Sequence, residues 1–181
     1  AVDLLKKAGC WVDGDRVRIP SHLIEWAIRT APHKVVLCDR EGKPAMYAGG
    51  YESYFGTGSD CVFVIDPYTG ERREALLKDV ADFAKVVDAS PNMNFAMGMS
   101  VAHDVPDQVA DLHQFKAMVT NTTKPLVYAT WGPRNLKRIV EMCEGVAGGE
   151  DAFRRSPFAV LFGCPISPLQ HADDPTESLL Y

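Results

Sequence analysis

The chain has 181 residues, 46% hydrophobic and 24% charged, which is typical of a globular domain and unlike a disordered, coiled-coil or membrane-spanning chain. Its formal net charge is −5 at pH 7 and it has no block of lysine and arginine, which argues against nucleic acid or an anionic membrane as the main partner. Five cysteines without a C-x-x-C pair indicate neither a zinc knuckle nor a disulfide framework, and a reducing cytoplasm is the simplest setting.

Both ends of the chain fall inside helix-like sequence. Ala1 precedes an apolar helical pattern, and Tyr181 lies in the middle of another. We therefore expect an internal piece of a longer protein, for which the absence of a leader sequence in this stretch carries no information.

Residues 1–50 are predicted to form an N-terminal cap of helices and hairpins. A helix ending at Gly9 is followed by a hairpin that turns at residues 13–15, because an Asp-Gly pair favours a tight turn. A second helix begins at Ser21, with apolar residues on one face, and stops before Pro32. A second hairpin is expected over 35–47, and Gly49-Gly50 reads as a hinge.

Residues 51–181 carry a strand–helix repeat. Apolar runs at 95–104, 125–130 and 158–163 read as buried strands, and their comparable points Phe95, Val127 and Val160 lie 32 and 33 residues apart. Helix-period segments fill the gaps, as in parallel α/β folds. We count about four βα units, which equal half of a TIM (β/α)8 barrel or most of an open doubly wound sheet; the handedness of crossovers does not separate the two.

The remaining segments of this part are assigned from turn and helix signals. Residues 54–60 read as a strand entering a glycine-rich turn, and 62–65 as an edge strand that ends at the turn 66–70. Helices are expected from Leu76, after residues 104–106, after the strand at Leu126, around Phe153, and from Asp174 onwards.

Ligands of parallel α/β folds bind at the carboxyl ends of the strands, so polar residues at those positions are the candidates for the site. The candidate substrate-binding residues are Thr57, Ser59, Asp60, Ser100, His103, Asp104, Tyr128, Trp131 and Cys164. The aromatic side chains among them, with Tyr54 and Phe162 nearby, would surround a cation by cation–π attraction, although strand aromatics are more often core.

For several of these residues, a structural role is the alternative to a specific catalytic or binding role. The Gly-Thr-Gly-Ser turn lacks the fingerprint of a dinucleotide or phosphate loop, so a tight turn is favoured. His103 and Asp104 suit an acid/base pair or one arm of a metal site, but no second ligand occurs at fixed spacing, and Asp104 equally suits a helix N-cap. Cys164 has no basic neighbour to activate it, which favours a buried or pocket-lining thiol over a nucleophile.

Eight short motifs in order resemble those of the trimethylamine methyltransferase family. They are Phe-Gly-Thr-Gly-Ser-Asp at 55–60, Asp-Pro-Tyr-Thr-Gly-Glu-Arg-Arg at 66–73, Asp-Val-Ala-Asp at 79–82, Ser-Pro-Asn at 90–92, Asp-Val-Pro at 104–106, His-Gln-Phe at 113–115, Asn-Thr-Thr-Lys-Pro at 121–125 and Pro-Ile-Ser-Pro-Leu at 165–169. Each motif is weak alone, but together they cover nearly the whole chain with similar gaps.

The resemblance implies a TIM-barrel enzyme of the cytoplasm of anaerobic archaea and bacteria that transfers a methyl group from a methylated amine to the Co(I) corrinoid of a separate corrinoid protein. It implies no cofactor bound directly by this chain; the residues themselves, without a second ligand at fixed spacing from His103, predict no metal site. Family members either use pyrrolysine on trimethylamine or lack it, and some of the latter act on glycine betaine. The position that separates them, and with it the catalytic residues, would lie downstream of Tyr181, so the candidates above are expected to be pocket walls.

Two alternatives remain open at this stage. One is another TIM-barrel enzyme such as a lyase, which would need a metal cluster or a Schiff-base lysine at a strand end, whereas Lys124 lies at the start of its strand. The other is an amine-binding relative that has lost methyl transfer. The sequence leaves the oligomeric state open, with a homo-oligomer among the options.

Overall fold

The first 50 residues form helices and hairpins, as the sequence predicts, in a computed structural model that describes residues 1–59 and 61–180. The elements are α1 (Val2–Lys7), β1 (Trp11–Asp13), β2 (Arg16–Arg18), α2 (Ser21–Thr30), β3 (Val35–Cys38) and β4 (Pro44–Ala48). Both strand pairs are antiparallel. The two predicted hairpins and two predicted helices of this part are therefore confirmed.

The apolar face predicted for α2 is left uncovered by the described residues. None of the side chains of α2 is buried, and Trp26 and Ile28 are 59% and 65% exposed. The helix ends before Pro32, where the pattern places its stop. The periodicity thus located the helix correctly without showing what its apolar face packs against.

The second hairpin joins the cap to the rest of the chain. The amide of Cys38 donates to the carbonyl of Pro157 at 2.7 Å, and the amide of Arg40 donates to Thr123 at 2.7 Å. Both acceptors precede strands of the main sheet, so the hairpin lies at the amino ends of those strands. A Cβ on Gly49 would lie 2.3 Å from the carbonyl oxygen of His33, so the chain passes too closely there for any other residue.

The rest of the chain consists of short strands and longer helices. They are β5 (Phe63–Ile65), β6 (Arg72–Glu74), α3 (Leu77–Ala89), β7 (Ala96–Met97), a short 3-10 helix (Asp107–Val109), α4 (Ala110–Asn121), β8 (Leu126–Tyr128), α5 (Pro133–Ala147), α6 (Glu150–Arg155), β9 (Ala159–Leu161) and α7 (Asp173–Leu180). The predicted helices are confirmed. β6, which pairs with β5 across the predicted turn, was not foreseen.

The strand predicted over 95–104 is wrong in its length. β7 has only two residues, because Met99 adopts a left-handed backbone with a φ of 53° and turns the chain. Beyond the turn, Ser100 forms an isolated bridge with Cys61. An apolar run signals burial, and here the burial continues past the end of the strand.

Three parallel strands, in chain order β7-β8-β9, form the main sheet. The strand predicted over 54–60 is wrong: in the described part, 54–59, only Gly56 pairs, in an isolated parallel bridge to Phe95 that places the segment beside β7. The described residues form no closed barrel. The choice between half of a (β/α)8 barrel and an open sheet therefore stays a prediction.

All the large helices of this part pack on one face of the sheet. A single hydrophobic core joins the inner side chains of three helices to alternate residues of the strands: Val80 and Val87 of α3, Phe115 and Met118 of α4, Leu136, Ile139 and Cys143 of α5, and Ala96, Leu126, Tyr128, Ala159 and Leu161 of the sheet. Because strand side chains alternate between faces, Met97, Val127 and Val160, which pair with one another, lie on the opposite face.

The Asn-Thr-Thr-Lys-Pro motif closes the amino end of β8. The ammonium of Lys124 donates to the carbonyls of Val87, Ser90 and Met93 at 2.5–2.8 Å. Just before it, the amide of Thr123 donates to Asp88 at 2.7 Å. Lys124 therefore holds the end of α3 near the start of β8. Because its ammonium group makes these three hydrogen bonds, it is not available to form a Schiff base.

Within the described ranges 1–59 and 61–180, no helix combines the length and the apolar character needed to cross a membrane.

Candidate functional site

Thr57 fastens the glycine-rich segment to the end of β7. Its hydroxyl donates to the carbonyl of Met97 at 2.7 Å and accepts from the amide of the same residue at 2.8 Å. The neighbouring Gly56 is required by a close approach, since an added Cβ would lie 2.6 Å from the carbonyl oxygen of Phe95. The next regular element is the strand β5, not a helix, so the segment lacks the loop-to-helix geometry of a phosphate site.

Asp111, at the start of α4, accepts hydrogen bonds from donors on three segments. One carboxylate oxygen accepts from the hydroxyl of Thr130 at 2.8 Å and from the amide of Trp131 at 2.9 Å. The other accepts from the side-chain amide of Asn135 at 2.8 Å and from the amide of Leu112 at 2.9 Å. The residue is 5% exposed. It therefore fixes the chain that follows β8 relative to α4 and α5.

Tyr128 and Trp131 place two aromatic rings at the same end of β8. Tyr128 is buried and packs edge to face on Phe115, with the ring centroids 5.1 Å apart. Burial raises the pKa of its phenol well above the ordinary value, so the hydroxyl stays protonated and neutral. Trp131 is 52% exposed, so its ring is open to solvent.

A cavity of about 20 Å³ lies between these strand ends and α4. It is lined by Ser59, Met97, Gly98, Ser100, Asp111, Gln114, Met118, Tyr128, Ala129 and Trp131. Four predicted site residues, Ser59, Ser100, Tyr128 and Trp131, are thus brought to one cavity. Thr57, His103, Asp104 and Cys164 do not line it, and Asp60 lies outside the described residues.

His103 and Asp104 are tied to the start of α3. A carboxylate oxygen of Asp104 accepts from the amide of Leu77 at 2.7 Å, and the amide of His103 donates to the carbonyl of Ala75 at 2.9 Å. The carboxylate of Asp104 thus satisfies an amide in the first turn of α3, whereas α4 begins without a side-chain cap. The prediction that Asp104 caps the helix that follows it is wrong.

The same helix start carries an ion-pair network from another motif. The guanidinium of Arg73 donates to both carboxylate oxygens of Asp79 at 2.7 and 2.9 Å, and to Asp66 at 3.4 Å. Hydrogen bonding to Arg73 holds the pKa of Asp79 below its usual value. Asp79 also accepts from the amide of Leu76 at 2.8 Å. The motif at 66–73 therefore joins the β5-β6 hairpin to α3.

Cys164 is exposed within the described residues, in the loop after β9, so the expectation of a buried thiol is not met there. Its thiol donates to the carbonyl of Pro165 at 3.7 Å, and its place in the wall of a substrate pocket stays a prediction. Among the described residues, no group of three or more histidine, cysteine or acidic side chains has the arrangement to hold a metal ion.

Sequence reasoning missed Asp111, Gln114 and Asn135 as residues of the site. Asp111 and Gln114 are three residues apart and thus share a face of α4. The available signal was a polar pair beside the otherwise apolar stripe of Phe115 and Met118. Gln114 also belonged to a motif, His-Gln-Phe, whose histidine is exposed.

Comparison with known proteins gives a consistent family. A family model described as trimethylamine methyltransferase (MTTB) matches residues 1–180. A trimethylamine methyltransferase MttB of Desulfitobacterium hafniense strain DSM 10664 / DCB-2 is 34% identical over 99% of this chain and 37% of its own length.

Two further relatives have different substrates in their names. A glycine betaine methyltransferase of Desulfitobacterium hafniense strain Y51 is 28% identical over 94% of this chain and 36% of its own length. A trimethylamine methyltransferase MttB of Methanosarcina barkeri strain Fusaro / DSM 804 is 29% identical over 94% and 36%. The chain spans a little over a third of the length of these relatives. The chain belongs to the trimethylamine methyltransferase family.

Proposed function

We propose that the protein containing this chain is a methyltransferase that takes a methyl group from a small methylated amine, trimethylamine or a quaternary amine such as glycine betaine. The methyl acceptor is the Co(I) corrinoid of a separate corrinoid protein, which is a substrate and not a resident cofactor. The observation that carries the proposal is the family match, which runs along residues 1–180 and is supported by relatives named for both amines.

The strand-end site offers groups that suit a methylated ammonium. Trp131 is half exposed and lines the cavity together with Tyr128 and Asp111, whose carboxylate accepts from the backbone amide of Trp131 at 2.9 Å. Aromatic faces and a carboxylate attract a quaternary ammonium without needing hydrogen bonds from it. We assign these residues to the wall of the substrate pocket, together with Ser59 and Ser100, and place the catalytic residues outside this chain.

The proposed methyl transfer depends mainly on how the substrate is positioned. The bond between the methyl carbon and nitrogen breaks with both electrons left on nitrogen, while the acceptor donates an electron pair to the same carbon. A quaternary ammonium leaves as a neutral amine, and trimethylamine does so when its nitrogen is protonated, so the leaving group needs no further proton and orienting one methyl group toward the acceptor becomes the main task. A rigid wall such as the one that Asp111 fixes serves this purpose.

We further propose that the full protein is a cytoplasmic enzyme and that its chain closes into a (β/α)8 barrel. The parallel strands follow one another in chain order, and α3, α4 and α5 all pack on the same face. Helices on one face and consecutive neighbouring strands are the arrangement of a barrel, whereas a doubly wound sheet has helices on both faces. In a barrel, the row Met97, Val127 and Val160 would face the interior.

The test uses the full-length protein with a corrinoid protein reduced to Co(I). Trimethylamine, glycine betaine and no amine are supplied in parallel, and the visible spectrum is followed for conversion of Co(I) to methyl-Co(III). We expect conversion with one amine and none without amine. An amine that binds in calorimetry but never alkylates Co(I) would support a binding relative without transfer and overturn the proposal.

A further inference from the structure

Two buried polar groups in the strand-end cavity have no hydrogen-bond partner within the described residues. They are the hydroxyl of Ser100, in a residue 2% exposed, and the amide nitrogen of Gln114. Both residues line the same cavity. Native proteins satisfy nearly all buried polar groups, with protein atoms, ordered water or ligands, because desolvating a donor without pairing it is costly.

The charged side chain found among the described residues of the cavity wall does not supply the missing acceptor. Asp111 lines the cavity too, but its two oxygens already accept four donors, from Leu112, Thr130, Trp131 and Asn135. A carboxylate offers about four lone-pair sites, so this one is saturated. Among the described residues of the cavity wall, no carboxylate oxygen is therefore left to accept from the hydroxyl of Ser100 or the side-chain amide of Gln114.

The cavity has the size of a single water molecule. A volume of about 20 Å³ exceeds what one water needs and is too small for a methylated amine. The Gln114 side chain reaches the end of β7, where its carbonyl oxygen lies 3.8 Å from the position of a Cβ on Gly98. The space thus opens at the strand end where the substrate pocket is proposed.

We propose that Ser100 and Gln114 form a hydrogen-bond-donating subsite for one oxygen atom. The oxygen is that of a buried water in the free protein, or an oxygen of a bound ligand that carries an acceptor. The subsite itself does not depend on the proposed function; only the identification of the ligand oxygen rests on it.

The first arm tests the subsite in the full-length protein without ligand. Ser100→Ala removes the hydroxyl and Gln114→Met removes the side-chain amide, each at nearly constant volume. If an oxygen is held there, each variant lowers the melting temperature by about 2 °C or more. If the space is dry, removing an unpaired polar group leaves the melting temperature unchanged or raises it, which would overturn the subsite.

Two control variants match these substitutions. Ser178→Ala removes another buried hydroxyl without a partner among the described residues, outside the cavity, so it measures the general cost of such a loss, which the effect of Ser100→Ala should exceed. Gln108→Met changes an exposed glutamine just before α4. A crystal structure of the full protein gives a direct readout: an oxygen of water or ligand within 3.2 Å of both groups supports the subsite, and a protein atom filling the space overturns it.

The second arm identifies the source of the oxygen. Glycine betaine and tetramethylammonium are both quaternary, but only the first has a carboxylate. If Ser100→Ala and Gln114→Met weaken glycine betaine tenfold and leave tetramethylammonium unchanged, the ligand supplies the oxygen; if affinities are unchanged while the melting temperature falls, water supplies it. If glycine betaine, tetramethylammonium and trimethylamine all fail to bind the unsubstituted protein, the proposed function is refuted. The melting temperatures of the variants still decide whether the subsite exists.

Discussion

Asp111 is the single residue on which the geometry of the strand-end wall depends most. Replacing it with asparagine keeps the shape but leaves one accepting oxygen where two oxygens accepted four donors. At least one donor then faces an amide instead of an acceptor, and we expect the free energy of unfolding to fall by about 1–3 kcal/mol. Because the amide of Trp131 is one of those donors, we also expect weaker binding of a methylated amine, measured by calorimetry.

The matched control for this substitution is Asp107→Asn. Asp107 lies one turn earlier, in the 3-10 helix, and is exposed. Its charge is removed without breaking a buried network, so chemical denaturation should give a free energy of unfolding within about 0.5 kcal/mol of the unsubstituted protein. Equal effects of the two substitutions would mean that Asp111 acts through charge alone and not through its hydrogen bonds.

At the scale of residues, the sequence predicts where side chains lie along the chain better than what they contact. Ser100, Tyr128 and Trp131 meet at one cavity because they lie at the carboxyl ends of two strands of one parallel sheet: Ser100 follows β7, Tyr128 ends β8 and Trp131 follows it. Asp104 also follows such a strand, yet it binds the start of α3. Asp111 was missed because a buried carboxylate is recognised by the donors around it, and three of these come from the segment after β8 and from α5, 19 to 24 residues away.

At the scale of elements, the attachment of the glycine-rich segment to β7 depends on Gly56. An alanine there would place its Cβ 2.5 Å from ring carbons of Phe95 and 2.6 Å from its carbonyl oxygen. The backbone must shift to relieve this contact, and the hydrogen bonds between Thr57 and Met97 would be strained with it. We expect Gly56→Ala to lower the free energy of unfolding by about 1–3 kcal/mol in chemical denaturation.

Gly58→Ala provides the control for this substitution two residues along the same segment. Among the described residues, no atom outside its neighbours lies within 4 Å of a Cβ built on Gly58. The alanine should therefore be tolerated, or should stabilise slightly by restricting the unfolded chain. A loss at Gly58 as large as that at Gly56 would show that the segment needs glycine for flexibility and not for close approach.

The elements that the sequence predicts well are the long helices, in which the helical spacing of apolar residues repeats over several turns. α3, α4 and α5 repeat apolar residues over 12 to 15 residues, so their existence and inner faces follow from the pattern. β6 was missed because Arg72, Arg73 and Glu74 carry no apolar signal, and it forms by pairing with β5. β7 was predicted too long because the turn at Met99 follows from packing against the segment of Cys61, which local sequence does not record.

At the scale of the whole molecule, the two faces of the sheet have different surroundings. One face is covered by three helices, whereas Val160 on the other is 36% exposed within this chain. A contiguous exposed face of apolar side chains commonly marks a surface that another segment or partner covers. The relatives are nearly three times as long as this chain, so the proposed barrel would cover the face with its own remaining strands.

Val160→Asp tests this proposal in the full-length protein. If Val160 faces the interior of a closed barrel, the aspartate places a charge in an apolar layer with no partner, and the free energy of unfolding should fall by more than about 3 kcal/mol. Val86→Asp is the control, because Val86 is 62% exposed on α3 and should tolerate the charge within about 0.5 kcal/mol. Chemical denaturation of both variants measures the difference. Equal tolerance at the two positions would leave this face in solvent, and a barrel whose interior contains Val160 would then have to be abandoned.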